Sequence, residues 1–333
     1  MKKLNFGIIG CGRIAYKHAE AFKNNEQADL LCVCDIIEER AVRYQDKYGA
    51  GDHFTDYRRM LEQPGLDAVS ICTPSGMHAA MGIAAAEAGK HVVVEKPMAL
   101  SLQDADDLIK ACEEHGVKLA VCFQNRFNPP VQKLRRALEA GRFGKLTHGS
   151  AVIRWFRPQD YYDQAPWRGT WAMDGGCLMN QSIHNIDLLQ WMLGPVESVC
   201  GYTATNLRKI EAEDVGVAVL KFKNGALGVI EASTTVYPEN LEETLSIFGE
   251  KGTAALGGIA VNKIETWKFA DLTEEIGEPE HLQQDVPNVY GYGHEALIGD
   301  FIEAVHDDRK PYIDGREGRN ALEVVLSIYQ SKI

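Results

Sequence analysis

Three short segments carry residue types and spacings that can do chemistry. Gly10-Cys11-Gly12-Arg13-Ile14-Ala15 sets two glycines and an alanine at the intervals of a dinucleotide-binding turn. The first glycine permits the sharp bend, the second lets the backbone approach a pyrophosphate, and a small third residue keeps the following helix close to its strand. The pyrophosphate then meets the free N–H groups and the positive end of the helix. The string is short, and its setting gives it meaning: it follows the apolar run Leu4–Ile9 and opens a helical pattern. Asp35 ends the next β-rich run, about 20 residues on, where an acid hydrogen-bonds the adenosine ribose hydroxyls. A carboxylate there repels a 2′-phosphate, which favours NAD over NADP.

The second segment is Glu95-Lys96-Pro97, directly after the apolar strand pattern His91–Val94. Ligands of an open α/β sheet lie beyond the carboxyl ends of its strands, so Lys96 emerges where a nicotinamide ring is expected. A cation there can polarise a substrate oxygen and stabilise alkoxide character as hydride leaves. The third segment runs from Gly175-Gly176 to Asp187. On one helix from Gly176 to Leu193, Asn180, His184 and Asp187 fall at i, i+4 and i+7 and form a polar stripe on an otherwise apolar surface. Such a stripe needs partners or a cavity. Paired with Asn180 and Asp187, His184 has the titration range of an acid/base. With no second His or Cys cluster beside them, a metal is not expected.

The elements that position these residues follow from periodicity. Up to about residue 120, strand and helix patterns alternate: strands at Leu4–Ile9, Leu30–Cys34, Ala68–Cys72, His91–Val94 and Val117–Phe123, with helices between them. This predicts a parallel α/β sheet of the dinucleotide-binding (Rossmann) type over residues 1–124. After a helix at Pro130–Ala140, long β-type runs dominate residues 125–333, and Lys223-Asn224-Gly225 reads as a hairpin turn. That predicts an α+β domain with a mostly antiparallel sheet. The chain closes with helices at His294–Val305 and Glu317–Lys332, the last expected to pack back on the first domain.

Composition narrows the partners. Hydrophobic residues are 45% and charged residues 25%, as in ordinary globular proteins, and 333 residues suit two domains. A net charge of −12 argues against nucleic acid and anionic membranes as partners. No signal peptide or membrane-length apolar run is visible, and the eight scattered cysteines form no CxxC pair. A reduced, cytoplasmic protein is expected.

Taken together, GxGxxA at 10–15, Thr73-Pro74 followed by His78, Glu95-Lys96-Pro97, and Gly175-Gly176…His184…Asp187 resemble the Gfo/Idh/MocA oxidoreductases along essentially the whole chain. The resemblance implies hydride transfer between NAD and a sugar or cyclitol carbon, using Lys96 and His184. It implies cofactor contacts at Gly10, Gly12, Arg13, Ile14, Asp35, Cys72, Thr73, Pro74, His78, Glu95, Lys96, Gln124, Trp167 and Arg168. It also implies that the C-terminal sheet is open, belongs to the substrate-binding domain, and builds a homodimer or homotetramer. Many members carry Asp where this chain has Asn180; Asn cannot act as a base, so proton transfer falls to His184 or Lys96.

Within the family, Gln124-Asn125-Arg126-Phe127-Asn128, Arg154-Trp155, Tyr161-Tyr162 and Ala165 to Trp171 resemble the bacterial UDP-N-acetylglucosamine and UDP-N-acetylglucosaminuronate 3-dehydrogenases, enzymes of surface polysaccharide biosynthesis. A loop dense in Trp, Tyr and Arg offers stacking faces and charge-assisted donors to a polyanionic nucleotide sugar. Arg126, Arg154, Tyr161 and Trp171 accordingly join Lys96, Asn180 and His184 as expected substrate contacts. Two other readings use the same motifs: a dehydrogenase of free inositol or aldose, and a non-catalytic NAD-binding regulator. Retention of both Lys96 and His184 argues against the latter.

Overall fold

A computed structural model describes residues 3–271 and 290–331. Two compact units emerge, Met1–Phe123 with His294–Arg319, and Gln124–Gly293 with Asn320–Ile333. The first unit holds a six-stranded sheet of β1 (Leu4–Ile9), β2 (Ala28–Cys34), β3 (Asp52–Phe54), β4 (Ala68–Ile71), β5 (His91–Val94) and β6 (Leu119–Val121). The order is β3-β2-β1-β4-β5-β6, and every pair is parallel. Helices α1 (Ala15–Lys23), α2 (Glu38–Tyr48), α3 (Tyr57–Leu61), α4 (His78–Glu87) and α5 (Leu102–Glu114) join the strands. The run Val92-Val93-Val94 is wholly buried, as expected of a parallel strand covered on both faces. Ser101 caps α5 by accepting the Asp104 N–H, and Gly49, at φ +73°, ends α2. This is the Rossmann arrangement that the alternating pattern predicts.

The second unit is built on a seven-stranded sheet. Its strands are β7 (Leu146–Arg154), β8 (Val196–Ala204), β9 (Val215–Phe222), β10 (Leu227–Ser233), β11 (Glu242–Gly249), β12 (Gly252–Gly257) and β13 (Lys263–Phe269), in the order β13-β12-β11-β7-β10-β9-β8. Only β7 and β10 pair in parallel. The unit also contains α6 (Pro129–Glu139), α7 (Gln159–Asp163) and α8 (Ile183–Leu193), the last packed on β7 and β11. Along β9 burial alternates: Ala218, Leu220 and Phe222 face inward while Val217 and Val219 stay exposed. The β9–β10 hairpin forms where Lys223-Asn224-Gly225 places it, with Gly225 at φ +86° donating to the Phe222 carbonyl.

The last two helices are α9 (Gly293–His306) and α10 (Gly315–Gln330). Against a single cut after residue 124, His294–Arg319 returns to the first unit. There Phe301 lies 6.1 Å from Phe6, and the Val121 N–H donates to the Ile313 carbonyl at 3.0 Å. The expected C-terminal residue of the last helix, Lys332, lies outside the described residues. Strands β3, β12 and β13 escape the periodicity. β12, Gly-Thr-Ala-Ala-Leu-Gly, has little intrinsic β preference and is a strand because β11 and β13 flank it. Among the described residues no helix is long and apolar enough to cross a membrane.

Candidate active site

The glycine turn in the first unit has the shape a dinucleotide requires. Gly10 sits at φ +93°, and a Cβ there would come within 2.9 Å of the Cys72 backbone. Around Gly12 a Cβ would meet nothing within 4 Å, so open space lies where a pyrophosphate must approach the backbone. The Asp35 carboxylate accepts the Cys11 N–H and the Ile37 N–H, each at 2.9 Å. It therefore ties the glycine turn to the end of β2. Tyr44 adds a second tie, its hydroxyl donating to the Gly12 carbonyl at 2.8 Å. Arg13 is exposed and Ile14 half-buried at the start of α1. These residues fit NAD, which when bound supplies the hydride acceptor.

Cys72-Thr73-Pro74 and Glu95-Lys96-Pro97 end the neighbouring strands β4 and β5. The Lys96–Pro97 peptide is cis. His78 clamps the two turns together: its ring nitrogens lie 2.8 Å from the Thr73 carbonyl and 2.8 Å from the Pro97 carbonyl. Burial lowers the pKa of this imidazole, partly offset by those two carbonyls. The expected His78 contact with the cofactor is thereby corrected to an indirect one, since both nitrogens are spent on backbone.

Glu95 is corrected in the same sense. Its carboxylate is buried, 2.9 Å from His18 Nε2 and 3.6 Å from His294 Nε2, and it accepts the Lys96 N–H at 3.2 Å. Burial alone would push this carboxyl up, but the hydrogen bond with His18 and the nearby His294 imidazole hold it well below the ordinary range. Neither His18 nor His294 stands out by motif; the usable signal was a histidine on the buried face of α1.

In the second unit the single helix expected from Gly176 to Leu193 is broken. Cys177–Gln181 forms a π-turn, and α8 begins only at Ile183. π-turns recur at functional sites, and this one holds Asn180 while His184 lies on α8. The turn is held by Glu213, which accepts the Leu178 N–H at 2.7 Å and the Tyr329 hydroxyl at 2.8 Å. The Asn180 amide donates to Asp174 and accepts from Gln181. Asp174 is itself fixed by the Gly169 N–H at 2.7 Å, and Gln181 lies 3.1 Å from the Tyr161 hydroxyl.

Asp187 does not share a functional stripe with Asn180 and His184. It is fully buried in a two-pronged ion pair with Arg126, at 2.6 and 2.8 Å. The same pair corrects the assignment of Arg126 to substrate, because its guanidinium is 1% exposed. Arg154 likewise spends its charge on Glu231 and Glu242 across the sheet. Sequence spacing could not show either partner, since both lie dozens of residues away. Gln124 is buried.

In the aromatic loop the side chains stack on one another. The Arg168 guanidinium lies 4.3 Å from the Tyr161 ring and 4.7 Å from Trp167, and it donates to the Tyr161 hydroxyl at 2.5 Å. Trp171 is half exposed and meets Tyr329 edge-on at 5.2 Å. Arg157 and Arg208 join from outside the expected set, Arg157 over Trp155 at 4.6 Å and Arg208 over Phe156 at 5.6 Å. The Nε atoms of Arg168 and Arg208 are buried with no hydrogen-bond partner among the described residues.

Comparison with known proteins agrees with this geometry. Residues 4–123 match the oxidoreductase family with an NAD-binding Rossmann fold, and residues 131–255 match the GFO/IDH/MocA C-terminal domain. Over 96% of its length the chain is 31% identical to a myo-inositol 2-dehydrogenase of Thermotoga maritima, covering 93% of that protein. Two solved structures superpose with a TM-score of 0.90. One is the WlbA dehydrogenase of Bordetella pertussis in complex with NADH and UDP-GlcNAcA, at 43% identity over 99% of this chain and 96% of that one. The other is the corresponding Chromobacterium violaceum complex, at 41% identity over 99% and 94%. The chain belongs to the Gfo/Idh/MocA family and is an NAD-binding oxidoreductase.

Proposed function

We propose that this protein oxidises C3 of a UDP-N-acetylglucosamine-type nucleotide sugar, with NAD as acceptor, in surface polysaccharide biosynthesis. One observation carries the substrate class. In a chain of net charge −12, Arg168 and Arg208 stack on aromatic rings and, among the described residues, hydrogen-bond to neutral groups. Arg126, Arg135, Arg142 and Arg154 of the same unit are all paired with carboxylates. Guanidinium groups kept in this state suit an incoming diphosphate or carboxylate. The likeness to the two dehydrogenases that bind UDP-GlcNAcA supports the same class.

In this mechanism Lys96 and His184 handle the hydroxyl proton: one removes it as hydride leaves the carbon, and the other holds the developing oxyanion. The products are a ketone, NADH and a proton. Asn180, its amide oriented by Asp174 and Gln181, hydrogen-bonds the sugar without titrating. Tyr161, Trp167, Arg168 and Trp171 take the nucleotide end, and Asp35 takes the adenosine ribose.

The test is a substrate panel followed by NADH absorbance and keto-sugar analysis. Turnover is expected with UDP-N-acetylhexosamines or their uronates. In Arg168→Ala the KM for the UDP-sugar should rise about 10- to 30-fold, the worth of one charge-assisted contact. Turnover with free polyols alone would instead establish the inositol-type activity of the Thermotoga relative.

The same reading assembles the chain as a homodimer or homotetramer through the outer face of the second sheet, where Val217, Val219, Leu227 and Val229 are exposed side by side. Light scattering should show an oligomer that Val219→Lys dissociates; a monomeric wild type would refute it.

A further inference from the structure

We propose that His18, Glu95 and His294 form a buried positioning device for Lys96, with the Glu95 carboxylate gripping the Lys96 backbone amide while His78 grips Pro97. The inference rests on the reading that Lys96 acts on the substrate hydroxyl. Four segments distant in sequence converge on this point. His18 comes from α1, Glu95 from the end of β5, His294 from the start of α9, and Ser70 from β4. Exposure is 0% for His18, 6% for Glu95 and 2% for His294. Glu95 Oε1 lies 2.9 Å from His18 Nε2, and the other nitrogen of that ring lies 2.6 Å from Ser70 Oγ. Glu95 Oε2 accepts the Lys96 N–H. His294 adds an edge-on ring contact to His18 at 5.4 Å and closes the cluster.

The residue before Lys96 and the residue after it are thus both anchored by buried histidines. His18 holds Glu95, and His78 holds Pro97 and, through Thr73, the neighbouring cofactor turn. Lys96 itself, between these two anchors, is half-buried. A buried ion pair is a poor source of net stability, because hydrophobic residues of like volume do as well. What it supplies is fixed geometry, since the carboxylate has one low-energy place between its donors. A lysine root displaced by about 1 Å can cost a hundredfold in rate, so anchoring both flanks matters to the chemistry rather than to the fold.

The three side chains also match a transition-metal donor set, with their ligand atoms within 4.8 Å of one another. The direct His18–Glu95 hydrogen bond favours the ion pair over a bridging metal.

The experiment compares Glu95→Gln, His18→Gln, the double variant and Lys96→Ala with wild type, all loaded with NAD. Readouts are kcat and KM for the UDP-sugar, NADH affinity and stoichiometry by fluorescence, and metal content. Glu95→Gln and His18→Gln should each lower kcat at least about tenfold while KM and NADH affinity stay within about threefold. The double variant should be no worse than either single by more than about threefold, as members of one unit behave. His294→Gln leaves the His18–Glu95 pair in place and carries the same test, with about a fivefold loss expected, should the others fail to fold. Unchanged kcat per bound NADH in these variants, alongside an inactive Lys96→Ala, overturns the positioning role alone. An active Lys96→Ala, or no turnover of any sugar by wild type, overturns the catalytic reading instead. One tightly held metal ion per chain, lost in His294→Gln, would replace the ion pair with a metal site.

Discussion

The two units bury their acids in opposite ways. In the first, Glu95 is enclosed by two imidazoles and stays ionised. In the second, Glu213 has neutral hydrogen-bond donors, the Leu178 N–H and the Tyr329 hydroxyl, and Glu243 has the neutral Asn185 amide beside it. Burial pushes Glu213 up to about 7 and Glu243 up to about 8, and those donors offset it only in part. Asp187, in the second unit as well, is given an arginine instead. The difference teaches that burial does not decide ionisation. The partner does, and each unit uses its partner for a different end: an anion fixed beneath a catalytic turn in one, a proton kept as filler in the other.

The harshest way to break the comparison is to take the partner from Asp187. Arg126→Leu should destabilise the protein by about 3–5 kcal/mol in chemical denaturation, the cost of an orphaned buried charge. A loss below about 1 kcal/mol would mean that Asp187 simply protonates, as Glu213 and Glu243 do.

A gentler test reads the protons directly. Glu243 releases its proton near 4.5 when unfolded but only near 8 when folded, so the folded state binds it more tightly between those values. Stability should therefore fall as pH rises through that window, by about 1–2 kcal/mol between pH 6 and 8 for this group. Glu243→Gln should flatten that slope. Glu95 has the opposite sign, because its depressed pKa gives stability above the ordinary carboxyl range that is lost as pH falls. A slope unchanged in Glu243→Gln would show that its carboxyl is ionised in the folded protein.

Much of this was legible beforehand because the informative signals are local. β1, the glycine turn and Asp35 lie within about 30 residues and follow one periodicity, so the dinucleotide turn reads straight off the chain. The same holds for α5 between its Ser101 cap and Gly116, and for the hairpin at Gly225. What failed depended on contacts made at long range. Helical spacing put Asn180, His184 and Asp187 on one stripe, but a π-turn fixed by Glu213 from another strand connection broke the register. Arg126 and Arg154 looked like ligands for an anionic substrate until their carboxylate partners arrived 61 and 77 residues later. His18 and His294 carry no motif and became visible only once the fold brought them to Glu95. Nothing in β12 marks it as a strand apart from its neighbours.

The return of residues 294–319 to the first unit has a consequence for synthesis. The parallel sheet is encoded before residue 124, yet Phe301 and the Ile313 carbonyl that complete its packing are made only after the intervening second unit. As the chain leaves the ribosome, the nucleotide-binding half must wait, with part of its apolar surface bare, while some 170 residues of the other half are translated. Its last stabilising contacts form only after that interval, so the half that begins first is the one that finishes late.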